Sequence, residues 1–326
     1  MDASKRDTLR KIGNTVTGIA LAASPSFGLM QMGSRLHDEE VLAICETYVP
    51  IWWRLFFEGH HREIRKVLPG HLLQLTPLAE RPSRYQQRAA NVASQAHQLA
   101  YLLSWHQQDF CTALVHAKQA FQYGVIAEDF QLQTSALIRQ GHVYYLANDP
   151  ESMLYMYQNA FQYREKVSPL FQGRTYVGLA KAHAFLQQKQ EALHFLGLVR
   201  DTFPEHPEED PAYTYTHWTS FTPATYEAVT YLQLNQPESA WKVCEKIAHS
   251  RALPATNNVE FLIRQAETSF ALGAMDQSCS YIELATTSAL KLGSDLRYKE
   301  AHNVYQQMLL KWPHERQVKE LAAHFQ

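Results

Sequence analysis

The stretch LIRQGHVYYLANDPESMLYMYQNAF, residues 137–161, contains two helical patterns joined by one short turn. Met153, Tyr157 and Ala160 have the spacing i, i+4, i+7, which places them on one face of the second helix. A small residue, Gly141, stands about twelve residues before this set, on the first helix. The stretch therefore predicts a pair of amphipathic helices that pack closely against each other.

The same register recurs along the middle of the chain. Further sets with the spacing i, i+4, i+7 are Ala113, Ala117 and Ala120; Ala192, Leu196 and Val199; and Ala240, Cys244 and Ile247. Two helices and a turn in a repeat of roughly 34 to 48 residues are typical of helical-hairpin solenoids. Because the alternation expected of strands is scarce, we predict an all-α fold built from such hairpins.

The turns between the predicted helices carry recognisable stop and cap residues. Asn148-Asp149-Pro150 supplies a stop, a helix cap and a first helical position. Asn235-Gln236-Pro237 repeats this chemistry, Asp109 is placed to cap a second helix, and Gly273 stands at a later turn. These residues predict hairpins with short connections.

The composition is that of a folded, nearly neutral protein. In 326 residues, 30 Lys and Arg face 32 Asp and Glu, a formal net charge of −2. Domains that bind a nucleic acid backbone carry a clear positive excess, so we expect no direct nucleic acid binding. The four cysteines form no Cys-x-x-Cys pair. We therefore expect reduced, packed cysteines in a cytoplasmic protein.

The chain is expected to have three parts. Residues 1–34 form an amino-terminal linker or docking segment, with a cleaved export signal as the alternative, and their apolar stretch is too short to span a membrane. Residues 35–80 predict a helical cap whose second helix is kinked or restarted at Pro69. Residues 81–326 carry the repeats.

A long loop at 203–223 interrupts the repeats. It combines four prolines and four acidic residues with aromatic side chains, among them Tyr215 and Trp218. Loops of this length are often functional. The alternative is that the aromatic side chains only tether the loop to the helices.

The hairpin register resembles the tetratricopeptide repeat. The small residues that this family needs where its helices approach closely correspond here to Gly141, Ala180 and Ala228, to Ala113, Ala192 and Ala240, and to Ala120 and Ala160. The resemblance implies a right-handed α-α superhelix, a tetratricopeptide-like solenoid.

Four further stretches are similar to the carboxy-terminal part of large bacterial regulators. They are KRDTLRKIG at 5–13, VLPGHLLQLTPL at 67–78, FPEHPEEDPAY at 203–213 and LQLNQPESAW at 232–241. Those regulators join a Cro/C1-type helix-turn-helix to tetratricopeptide repeats that act as a sensory, protein-binding or dimerisation region. No residues before Met1 could form the DNA-binding helices, so we expect either the sensory part alone or a relative that lacks the DNA-binding domain.

No arrangement of residues predicts catalysis. The sixteen histidines contain one adjacent pair, His60 and His61, and neighbours on a helix point about 100° apart, too far to chelate one ion well. No phosphate-binding glycine loop, Gly-x-Ser-x-Gly elbow or dinucleotide fingerprint occurs. We expect a protein that is not an enzyme and has no cofactor and no metal.

The resemblance places the ligand on the concave side of the first helices. The peptide-binding groove that it implies is lined by Trp105, Arg139, His142, Tyr145, Arg174, Lys181 and Arg264. Basic groups among aromatic side chains suit a peptide carboxylate or acidic side chains. We expect these groove side chains to be solvated in the free protein.

The sequence thus predicts a non-enzymatic domain that binds a protein or peptide, the sensory part of a transcriptional regulator. A helix-turn-helix protein and a second copy of the chain are the expected partners, and no membrane is involved. The alternative is a structural oligomerisation scaffold whose groove is filled by its own amino-terminal segment.

Overall fold

The computed structural model describes residues 38–219, 221–248 and 255–325, and these residues are almost entirely helical. No strand occurs in these three ranges, so the predicted all-α class is confirmed. The predicted segment 1–34 lies outside the described residues. The α-helices are α1 (Asp38–Phe57), α2 (His61–Glu80), α3 (Gln86–His106), α4 (Phe110–Ile126), α5 (Phe130–Leu146), α6 (Pro150–Phe161), α7 (Pro169–Phe185), α8 (Lys189–Thr202), α9 (Tyr213–Thr216), α10 (Thr222–Gln233), α11 (Pro237–Ala248), α12 (Ala255–Leu272), α13 (Met275–Leu292), α14 (Asp295–Lys311) and α15 (Arg316–Glu320).

The long helices pack in the order of the chain. Each hairpin partner contacts the next, as in α3 with α4, α5 with α6 and α12 with α13. Alternate helices also contact one another in the series α3, α5, α7, α10, α12 and α14, which we call the inner helices.

The two ends of the inner series meet. Helix α14 contacts α3, and across this contact His106 Nδ1 lies 2.6 Å from Ser294 Oγ. Gln108 donates a hydrogen bond to the carbonyl of Asp295 at 3.0 Å. The guanidinium of Arg297 lies 5.0 Å from the centroid of the Trp105 ring. The inner helices therefore form a closed series, and many of their inward-facing side chains are buried.

One turn geometry recurs at the ends of the helices. A residue with positive φ ends the helix, and the N–H of the next residue bonds to a carbonyl five positions back, as from Asp149 to Tyr144 at 2.9 Å. The residues with positive φ at these turns are Gly59, Gln108, Glu128, Asn148, Gln187, Asn235, Gly273 and Gly293. Asp109 and Asp149 then accept from the N–H of Thr112 and Ser152, as predicted.

The small residues of the predicted register lie at helix contacts. Ala113, Ala120, Ala160, Ala180, Ala192, Ala228 and Ala240 are fully buried. The ring of Tyr157 lies between Gly141 on α5 and Gly178 on α7. A Cβ atom at Gly178 would lie 1.8 Å from Cε1 of Tyr157, so only glycine fits there.

Two sequence expectations are corrected in part. Helix α2 continues through Pro69 to Glu80 as a single helix, so of the kink or restart expected at Pro69 the restart does not occur. Pro69 lies on the exposed side, where the carbonyl that loses its intrahelical partner can bond to water. Cys45, Cys244 and Cys279 are buried as expected, but Cys111 is exposed because it lies on the outward side of α4.

The contact between Tyr157 and Gly178 yields a stability prediction. Gly178→Ala forces the buried Tyr157 ring to move, and we expect the free energy of unfolding to fall by about 1–3 kcal/mol. Gly197→Ala is the control, because no atom lies within 4 Å of a Cβ there. Alanine should raise helix stability at that position by about 0.5–1 kcal/mol. Urea unfolding measures the free energy of unfolding of both variants. Equal changes in the two variants would contradict the close contact between Gly178 and Tyr157.

Candidate functional site

All seven predicted groove residues line two neighbouring cavities between the inner helices. The smaller cavity, of about 30 Å³, is lined among others by Trp105, His142, Tyr145, Lys181 and Arg264. The larger, of about 80 Å³, is lined by Trp105, Arg139, His142 and Arg174, together with α1 and the 203–219 segment. We call the residues around both cavities the central interior. The seven side chains thus lie in one region of the structure.

The expectation that they are solvated is wrong for the four cationic side chains. Arg139 is 2% exposed, Arg174 5%, and Lys181 and Arg264 6%. An open superhelix would leave its concave side in water. Here α14 returns to α3, and Phe56 of α1 lines the larger cavity, so the chain itself covers this face.

The long loop is part of this cover. Trp218 is 6% exposed, and its ring stacks on that of Tyr226 with centroids 5.2 Å apart. The ring of Tyr215 meets that of Trp53 edge-on at 5.7 Å. His217, at φ +46°, stacks on Phe57 at 4.1 Å. The aromatic side chains tether the loop across the central interior.

One half of the central interior is an ion-pair network between α12 and α14. Arg264 contacts Glu267 at 2.6 Å and Glu300 at 3.0 Å. Arg297 contacts Glu300 at 2.6 Å and Glu260 at 2.8 Å. Burial disfavours ionisation of Glu300, but Arg297 and Arg264 outweigh it and lower the pKa of this carboxyl. Every charge in this half has a partner.

The other half contains three cations, Arg139, Arg174 and Lys181. Within the three described ranges, no carboxylate lies within 4.0 Å of any of them. Lys181 Nζ lies over the rings of Tyr145 and Tyr226, at 4.0 and 4.9 Å from their centroids. Burial lowers the pKa of Lys181 to about 8 and that of Arg139 to about 9.

The imidazole between these groups adds no charge. Burial, with Lys181 and Arg174 acting in the same direction, lowers the pKa of His142 well below its usual range. The central interior and the adjoining Glu267 therefore combine five cationic side chains with three carboxylates, while His142 and His106 are both kept neutral by burial. The positive excess lies on α5 and α7.

A third space opens to the exterior beside the network. This open cleft, of about 580 Å³, is lined by Tyr145, Arg264, Glu267, Phe270 and Glu300 among others. Five carboxamide side chains also line it: Gln187, Gln233, Asn235, Asn303 and Gln307. Tyr145 and Arg264 line both the cleft and the smaller cavity, so the cleft leads to the central interior.

Sequence reasoning missed part of the site. Glu260, Arg297, Glu300, Tyr101 and Tyr226 line the cavities and were not predicted. Arg297 and Glu300 lie on α14, which contributes no residue to the groove that the resemblance implies. A usable signal exists: Arg-x-x-Glu occurs at 264–267 and again at 297–300, which places both charges on one helix face.

The described helices show no transmembrane character and no metal cluster. None of them is both long and apolar enough to cross a membrane. In the same ranges, no three side chains of His, Cys, Asp or Glu come together as metal ligands would.

Comparison with known proteins adds no relative. No protein-family model matches the sequence, and no curated protein matches it. The resemblance to tetratricopeptide proteins and bacterial regulators therefore stays an expectation from the quoted motifs.

The ion-pair network yields a second stability prediction. Glu300→Ala removes the carboxylate that both Arg264 and Arg297 contact, and we expect a loss of about 2 kcal/mol in the free energy of unfolding. Glu320→Ala, in the exposed pair with Arg316, should leave it nearly unchanged. Chemical denaturation compares the two, and equal losses would show that the network does not contribute to stability.

Lys181 yields a pH prediction. Its ordinary pKa of 10.5 falls to about 8 in the folded protein, so between pH 8 and 10 the unfolded chain binds more protons. The contribution of Lys181 to the free energy of unfolding therefore rises with pH, by up to about 1.4 kcal/mol per pH unit. Lys181→Met abolishes this gain, so any stability advantage of the variant should shrink from pH 8 to pH 10. If urea unfolding shows that the free energies of unfolding of the wild type and the variant change in parallel between pH 8 and pH 10, the lowered pKa of Lys181 is contradicted.

Proposed function

We propose that this chain is a non-enzymatic domain that binds a peptide or a protein segment. In this proposal its helices belong to a right-handed, tetratricopeptide-like superhelix. The domain acts as the sensory part of a bacterial transcriptional regulator of the Cro/C1-type class. A helix-turn-helix protein, or a second copy of the chain, would be the partner that transmits binding.

The observation that carries the proposal is the charged character of the central interior. Removing an ion from water costs several kcal/mol, and a buried ion pair is often less stabilising than apolar side chains of similar volume. An interior selected for stability alone would be apolar. Eight charged side chains on the inner helices instead indicate a surface that interacts with polar ligand groups.

The open cleft supports a peptide ligand. Four of its five carboxamide side chains, those of Gln233, Asn235, Asn303 and Gln307, offer a donor and an acceptor, which match the N–H and C=O groups of an extended backbone. The fifth, Gln187, already donates to the carbonyl groups of Ala184 and Gln233. Phe270 and Tyr145 supply apolar surface for side chains of the ligand. Glu267, 31% exposed at its side chain, lies where a basic group of the ligand could approach.

One observation favours a structural scaffold as the second candidate. The chain already covers its own inner face with α1 and the 203–219 segment, as the contacts of Tyr215 and Trp218 show. In that alternative the central interior is only a packed core, and the protein oligomerises through other surfaces. The predicted filling by residues 1–34 concerns residues outside those described.

Peptide selection tests the proposal. A displayed library of random peptides is selected on the wild-type protein, and enriched peptides are measured by fluorescence anisotropy. We expect the double variant Asn303→Ala/Gln307→Ala to weaken binding roughly tenfold or more, since each hydrogen bond contributes about 0.5–1.5 kcal/mol. The control is Gln122→Ala/Gln158→Ala, which removes two exposed carboxamides from the outer helices α4 and α6.

Two outcomes would contradict peptide binding. In one, no peptide is enriched over a selection without protein. In the other, the cleft and control variants bind the enriched peptides equally well. Concentration-dependent self-association in analytical ultracentrifugation, with no enriched peptide, would support the scaffold instead.

A further inference from the structure

The side chain of Arg174 is buried without a full set of partners. It is 5% exposed, and its Nε and Nη1 atoms have no hydrogen-bond acceptor within the described part of the chain. The rings of Trp218 and Phe171 lie 5.1 and 5.5 Å from the guanidinium carbon and supply no acceptor oxygen. A buried guanidinium costs several kcal/mol unless an anion or acceptor compensates it.

Arg139 places a second guanidinium on the same cavity. It is 2% exposed and donates from Nε to Gln98 Oε1 at 3.0 Å, with Tyr215 O at 3.5 Å from Nη2. Neither acceptor carries a charge. The positive charge of Arg174 adds to burial in lowering the pKa of Arg139, so the two cations destabilise each other. A negative group in the cavity would relieve both.

The larger cavity offers that position. Its volume of about 80 Å³ exceeds several-fold the roughly 10–15 Å³ that a single water requires. The hydroxyl of Tyr101, also in the lining, is fully buried and has no partner among the described residues. Glu260 lines the cavity too, but Arg297 pairs with it at 2.8 Å. Donors without acceptors among the lining residues therefore belong to Arg174 and Tyr101, and also to Trp105 Nε1 and Arg297 Nε.

We propose that the larger cavity binds a small oxyanion, a carboxylate or phosphate group, between the guanidinium groups of Arg139 and Arg174. A planar guanidinium donates two parallel hydrogen bonds to either group, and Tyr101 supplies a further donor. The ligand neutralises the positive half of the interior, as the carboxylates of α12 and α14 neutralise the other half. This inference rests on the proposed binding function, because it names a ligand group for the same interior.

Binding of this kind stabilises the folded protein in proportion to ligand concentration. The melting temperature is measured in sodium chloride, acetate, phosphate and sulfate at equal ionic strength. We expect a saturable rise of about 5 °C with at least one oxyanion and none with chloride. Acetate as the effective probe identifies a carboxylate ligand, and phosphate or sulfate identifies a phosphoryl group.

Arg174→Gln is the decisive variant. It removes an unpaired buried charge, so the variant should fold, and circular dichroism checks this. We expect the saturable rise to disappear in Arg174→Gln and to persist in Arg316→Gln, an exposed arginine in the pair with Glu320. Equal melting temperatures in all four salts, or an unchanged rise in Arg174→Gln, would overturn the oxyanion site.

The two proposals fail separately. If enriched peptides bind through Asn303 and Gln307 and no oxyanion raises the melting temperature, the peptide-binding function is supported and the oxyanion site is contradicted. An oxyanion effect without any enriched peptide would support the site and contradict the peptide ligand.

Discussion

The contact of α14 with α3 is the interaction on which the rest of the structure depends. The pairing of His106 with Ser294 and the position of Arg297 over Trp105 join helices almost two hundred residues apart. This contact converts the concave side of a helical series into an enclosed interior. Burial then changes the chemistry of every charge inside, because a side chain that would be solvated in an open groove must find a partner in the protein or in a ligand.

The enclosed interior is electrostatically divided. Between α12 and α14, four ion pairs share two arginines and three carboxylates, and each charge is compensated. On α5 and α7, Arg139, Arg174 and Lys181 are held by aromatic rings and neutral acceptors. Cation–π contacts and carbonyl groups compensate a buried cation less fully than a carboxylate does. This difference is the physical basis for expecting an anionic ligand group on the second half.

Much of the helical framework could be predicted from the chain. Spacings such as Met153, Tyr157 and Ala160 identified the buried helix faces, and Asp149 identified a cap, because these signals act over one or two helical turns. The continuation of α2 through Pro69 was missed, since local propensity does not register which side of the helix faces water. The site was predicted in part: Arg139 and Arg174 were found from the register, whereas Arg297 on the last hairpin was not.

The sequence by itself determined the all-α class, the hairpin turns and the buried faces of helices such as α6, because each depends on periodicity and local backbone preference. The tertiary structure alone decided that this inner face is closed. Ring closure depends on the small rotation added at every hairpin contact, which no single segment encodes and which accumulates over the whole series. For the same reason, only the folded chain shows that the cations of α5 and α7 are buried and lack a carboxylate within the part that the structure describes.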